Sequence, residues 1–83
     1  MKIQVRYFAS IREALGPGET IDLAEGATVA GARDALIARS AAHAAMLARG
    51  RALRSALNQS LCEESAGLSE GAELAFFPPV TGG

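Results

Sequence analysis

Tryptophan is absent from this 83-residue chain, aromatic side chains make up only 5% of it, and there is one cysteine, Cys62. So few rings leave little for nucleic-acid bases to stack on. A formal net charge of −1 gives no positive field to gather nucleic acid or an anionic membrane. The lone cysteine excludes an intramolecular disulfide. No stretch approaches the roughly 20 apolar residues that cross a bilayer. The opening MKIQVRYFAS alternates apolar and polar residues, unlike the continuous apolar stretch of a signal peptide. Repeats, linkers and low-complexity segments are missing too. These absences predict one reduced, cytoplasmic domain without nucleic-acid or membrane partners. A chain this short buries roughly 60–65% of its unfolded surface, which leaves no room for an internal cofactor. Neither a bound cofactor nor a metal site is expected.

What is present is 49% apolar residues, enough for one small core. In KIQVRYF, Ile3, Val5 and Tyr7 share one face, so residues 2–8 read as a half-buried strand, with Phe8 oddly on the polar face. Ser10 and Glu13 have capping-box spacing ahead of a short helix over 10–15 that Gly16-Pro17 ends. A second strand is predicted at 20–24. Thr28 then caps a helix with Val29, Ala32, Leu36 and Ile37 inward and Arg33, Asp34 and Arg39 outward. The alanine-rich run up to Gly50 either extends this helix or forms another. Residues 52–61 read as one or two strands bent at Asn58-Gln59, and 72–77 as a strand with Leu74 and Phe76 inward and Ala75 and Phe77 outward. Strand, strand, helix, then more strands fits an α+β domain, a β-grasp roll with a mixed sheet of four to five strands and one main helix.

The chain ends AFFPPVTGG. Pro78-Pro79 have no N–H to donate to a ladder and favour an extended chain. The five residues after Pro78 reach at most roughly 16 Å. Gly82 and Gly83 carry no side chains, so that end fits a channel only as wide as a backbone. The expectation is a β-grasp domain over 1–78 and a flexible tail over 79–83, whose reactive group is the Gly83 carboxylate. A carboxylate is a poor electrophile until activated, for example as an acyl-adenylate. No triad, metal cluster or phosphate loop is evident in the sequence, so this chain would supply the reacting group and a partner the machinery.

FFPPVTGG, together with VRYFASIRE near the start and ALNQ in the second half, resembles the small subunits of molybdopterin synthase, the MoaD-type sulfur carriers, over essentially the whole chain. The resemblance implies a β-grasp fold and adenylation of Gly83 by an E1-like activating enzyme that consumes ATP. It implies conversion of Gly83 to a thiocarboxylate with sulfur from a donor protein. Insertion of the tail into the large catalytic subunit follows, within a heterotetramer, where sulfur passes to a pyranopterin precursor of the molybdenum cofactor. On that reading the chain is not an enzyme by itself.

The resemblance also points to a docking surface. Phe8 and Phe77 both break strand alternation, and with Leu61 they would form an exposed apolar patch at the root of the tail, which family members use against both partners. The partner-binding set is then Phe8, Leu61, Phe77, Pro78, Pro79, Val80, Thr81 and Gly82. Arg12 either pairs with an acidic partner residue or is simply solvated. Cys62 reads as a strand-end core residue whose thiol Glu63 and Glu64 would hold protonated. His43 has no partner at ligand spacing. Arg39, Arg49, Arg51 and Arg54 read as a solvated face. Two other functions stay open: a sulfur carrier for thiamine or another product, and a ubiquitin-like protein modifier joined through Gly83 to lysines.

Overall fold

The structure, a computed structural model, describes residues 1–79. Five strands form one mixed sheet in the order β2-β1-β5-β3-β4. They are β1 (Lys2–Tyr7), β2 (Gly18–Asp22), β3 (Arg54–Leu57), β4 (Ser60–Cys62) and β5 (Glu73–Phe77); α1 (Ala9–Leu15), α2 (Val29–Ile37) and α3 (Ala41–Leu47) accompany them. The central pair, β1 and β5, runs parallel, and every other pairing is antiparallel. This is the expected β-grasp, with the last strand threaded between the first and third. Among the described residues no helix is long and apolar enough to cross a membrane.

One face of the sheet builds the core. Ile3, Val5 and Tyr7 from β1, Ile21 from β2 and Leu74 and Phe76 from β5 are buried together with Ile11, Val29, Ala32, Leu36 and Leu47 from the helices. The period-two reading of β1 and β5 therefore holds for the core face, because each residue that joins the core cluster lies two residues from the next. Gly18 starts β2 two residues earlier than expected. A Cβ there would stand 2.2 Å from the Val5 carbonyl oxygen, so only glycine lets the two backbones approach this closely. The Asn58-Gln59 bend is a two-residue hairpin turn with both residues at positive φ, 49° and 71°. Asn58 fastens it to β5, accepting from the Glu73 N–H at 3.0 Å.

Thr28 caps α2 as expected, its hydroxyl accepting from the Gly31 N–H. The alanine-rich run forms a separate helix, α3, capped by Ser40. Two expectations fail, and one outward residue is more covered than expected. The Ser10–Glu13 capping box does not form, because α1 begins at Ala9 with Phe8 in the cap position and no side-chain cap. Ala75 faces away from the core yet is only 7% exposed. Its small side chain sits in register between Arg6 and Ala56. The largest departure is Arg33, expected outward and found 3% exposed. Positions 29, 32, 33 and 36 follow helix-face spacing, so geometry sends Arg33 inward with Val29. Its guanidinium donates to the carbonyls of Leu47 (2.7 Å), Ala48 (2.6 Å) and Arg51 (3.0 Å) and to Glu64 (2.6 Å). One side chain thus receives the carbonyls at the end of α3 and ties that end to the loop after β4.

Candidate functional site at the exit of β5

β5 delivers the chain from the middle of the sheet to its edge, with Phe77 and Pro78 half-buried and Pro79 exposed. Register places two of the three docking candidates, Leu61 and Phe77, on the face opposite the core. Across that face, one row runs Arg6, Ala75, Ala56, Leu61. Phe77 lies one step further along β5, opposite Arg54 on β3. Phe8 follows Tyr7, the parallel partner of Phe76, and so reaches the level of Phe77.

Phe8 is 42% and Leu61 68% exposed, the exposed large apolar side chains among the described residues. The outer face near the exit of β5 therefore has a low floor of Ala56 and Ala75, with Leu61 on one side and the two phenylalanines on another. Phe77 is less open than expected. Exposed apolar side chains rimmed by arginine are the composition of a docking surface.

Ala9, immediately after Phe8, has φ 53° without being glycine. Such a conformation costs a non-glycine residue on the order of 1 kcal/mol and persists only where surrounding packing enforces it. It turns the chain sharply between β1 and α1, which leaves Phe8 beside the exit of β5 rather than inside α1. Arg12 is exposed on α1. Val80, Thr81, Gly82 and Gly83 lie outside the described residues.

The remaining candidates belong to the opposite side of the sheet. His43 does have a partner: its Nε2 lies 2.7 Å from Glu19 Oε2, and its Nδ1 lies 2.7 Å from the Ser40 hydroxyl. The Tyr7 hydroxyl donates to the same Glu19 oxygen at 2.6 Å, and its ring meets His43 edge-on at 6.5 Å between centroids. Burial and the hydrogen bond to Glu19 push the Tyr7 phenol far above its ordinary range. Burial alone would raise the Glu19 carboxyl. The hydrogen bonds from Tyr7 and His43 outweigh it and hold Glu19 below the ordinary 4.5. Sequence reading missed this cluster because it joins residues 24 apart.

The arginine strip also dissolves. Arg39 pairs with Glu19, and Arg49 with Asp34 and Glu64, while Arg51 caps the Ala45 carbonyl. Cys62 is half-buried against the core, as expected. Burial is what raises its thiol, rather than Glu63 and Glu64. Glu64 is instead engaged by Arg33 and Arg49.

A model of the ThiS family matches residues 5–83. The chain belongs to the ThiS family. Within the range of that family, it is 42% identical to the molybdopterin synthase sulfur carrier subunit of Escherichia coli (strain K12), over 98% of this chain and 99% of that one. Among solved structures it is similar to SAMP1 from Haloferax volcanii, with a TM-score of 0.81 and 29% identity over all of both chains. It is also similar to a chain of the complex of subunits 1 and 2 of molybdopterin-converting factor from Helicobacter pylori 26695. That likeness has a TM-score of 0.71 and 25% identity, again over all of both chains. The strand order and the threaded β5 are thus those of the ubiquitin-like β-grasp.

Proposed function

We propose that this chain is the sulfur carrier subunit of a molybdopterin synthase. The observation that carries the reading is its 42% identity, nearly end to end, with a protein of that name. The outer face supports it, since exposed Phe8 and Leu61 flank the strand that leads into PPVTGG. Gly83 is the reacting residue. An E1-like enzyme joins its carboxylate to the α-phosphate of ATP, releasing pyrophosphate. Sulfur from a donor protein then displaces AMP and leaves a thiocarboxylate.

The large catalytic subunit docks on Phe8, Leu61 and Phe77 and takes Pro78, Pro79, Val80, Thr81 and Gly82 into its channel, in a heterotetramer with two copies of each subunit. Sulfur passes from Gly83 to a pyranopterin precursor there. Catalysis belongs to the partners, because the side chains gathered at the exit of β5 are apolar groups and guanidinium, which bind rather than exchange protons.

The test is the intact mass of the chain after incubation with ATP, an E1-like activating enzyme and a sulfur source. A gain equal to one exchange of oxygen for sulfur, abolished by deletion of Gly83, is the expected result. No gain with an enzyme active on a control carrier overturns the reading. Replacing Gly82 with alanine should reduce sulfur delivery while leaving the thermal unfolding temperature unchanged.

A second reading, a protein modifier, is favoured by the likeness to SAMP1, which is also described as small archaeal modifier protein 1. It predicts higher-mass conjugates of this chain on lysines of other proteins.

A further inference from the structure

Both readings make Gly83 an acyl electrophile, and the structure bears on what that electrophile can meet on the carrier itself. Seven of the eight cationic side chains are arginine; Lys2 is the sole lysine. Its ammonium lies 3.0 Å from both Asp22 carboxylate oxygens. The other amine of the sequence, on Met1, donates to the Leu23 carbonyl at 2.6 Å. Both amines stand at the start of β1. The parallel register of β1 and β5 puts the exit of β5 at the opposite end, beside Tyr7 and Phe8. Five strand rises, about 17 Å, separate Lys2 from Tyr7. Arg54 stands near that exit, opposite Phe77, with Arg6 opposite Ala75, and Arg12 is exposed on α1, which packs against β5. A guanidinium stays protonated and is not an acyl acceptor at neutral pH, whereas a lysine there would be one.

We propose that the placement of its amines makes this chain a poor acceptor for its own activated tail, with Lys2 the single side chain at which copies could be joined. The proposal rests on activation of Gly83 as read above. Self-capture would form a bond between an amine nitrogen and the Gly83 carbonyl carbon. The bond from that carbon to the phosphate oxygen would break, AMP would leave with the electron pair, and the amine proton would pass to solvent. To attack, Lys2 must leave Asp22, shed its proton and meet a tail that starts from the far end of the sheet. The activated tail therefore waits for an external nucleophile such as sulfur.

The experiment uses the full chain with an E1-like activating enzyme and ATP, without a sulfur source. It reads pyrophosphate release together with intact mass and peptide mapping. The native chain should release pyrophosphate yet accumulate almost no monomer lighter by one water, and any covalent dimer should be slow to form and map to Lys2 or Met1. Arg54→Lys and Arg12→Lys should each accumulate at least ten times more of these products, mapped to the new lysine. Native chain conjugated at Lys2 or Met1 as fast as the variants at their new lysines overturns the inference. So do variants that release pyrophosphate and form no conjugate. If the native chain releases no pyrophosphate with an enzyme active on a control carrier, the activation of Gly83 fails, and this inference with it.

Discussion

The two faces of the sheet handle their exceptional residues in opposite ways. On the core side each misfit polar group is paired: Arg33 has four acceptors, and Glu19 takes up Tyr7, His43 and Arg39. Among the described residues no buried side-chain nitrogen or oxygen lacks a hydrogen-bond partner. On the outer face the misfits are apolar and left open, with Phe8 and Leu61 facing solvent. Burial of an unpaired polar group costs far more than exposure of one ring, so the first kind of exception must be resolved inside the chain. The second kind can wait for a partner. If the outer face is the docking surface proposed above, stability and recognition are carried by different sides of one thin domain, and substitutions can separate them.

The largest effect is expected at Arg33. Arg33→Ala removes four hydrogen bonds and takes the guanidinium from the Leu47 and Arg51 carbonyls, while the Ala48 carbonyl keeps the Arg51 N–H. A buried acceptor left without its donor costs about 1–3 kcal/mol. Because Glu64 is partly exposed and Arg49 still neutralises it, the loss rests on the abandoned carbonyls, and about 3 kcal/mol is expected in denaturant unfolding. Arg33→Lys should recover only part of this, since one ammonium cannot span four acceptors in the geometry of the planar fork. A loss below about 1 kcal/mol for Arg33→Ala would mean that the α3 end is held by something else.

Phe77→Asp tests the other side. It should raise the Kd for the large synthase subunit at least tenfold, about 1.4 kcal/mol, by calorimetry. Unchanged affinity in a natively folded variant would remove Phe77 from the docking surface. Leu61→Ser is the cleaner separation because Leu61 is 68% exposed. Its unfolding free energy should stay within about 0.5 kcal/mol of native while the same Kd rises. If stability falls and affinity does not, the two faces do not divide the labour as argued.

The division also explains what could be read without coordinates. Alternation in KIQVRYF and AELAFF announces the core because a buried sheet face imposes period two. Phe8 and Phe77 stood out by violating it, so half of the candidate site was legible as an error in a pattern. Arg33 was hidden by its charge although its spacing was that of a core position. The Glu19–His43 contact depends on how α3 lies against β2, which no local pattern encodes. The turn at Ala9 that keeps Phe8 outside α1 was invisible too, since alanine carries no signal for positive φ.

The smallest expected effect is a pH dependence confined to the core side. Glu19 and Glu64 both titrate below the ordinary carboxylate value of 4.5 in the folded chain, despite the opposing effect of burial. A depressed folded pKa means that the unfolded chain binds protons more readily, so protonation favours unfolding. Their stabilisation is complete well above pH 4.5 and is lost progressively as pH falls below it through the folded values. The unfolding temperature should therefore be insensitive to these two groups from pH 7 to about 6 and decline below about pH 4.5. Glu19→Gln removes one of the two titrations and should flatten that acid decline, whatever it does to stability at neutral pH. An equally steep decline in the variant would show that Glu19 is not held in its charged form by Tyr7 and His43. Docking through Phe8 and Leu61 should keep the same affinity in this variant at pH 7, because the Glu19 cluster lies on the side of the sheet away from the proposed docking face.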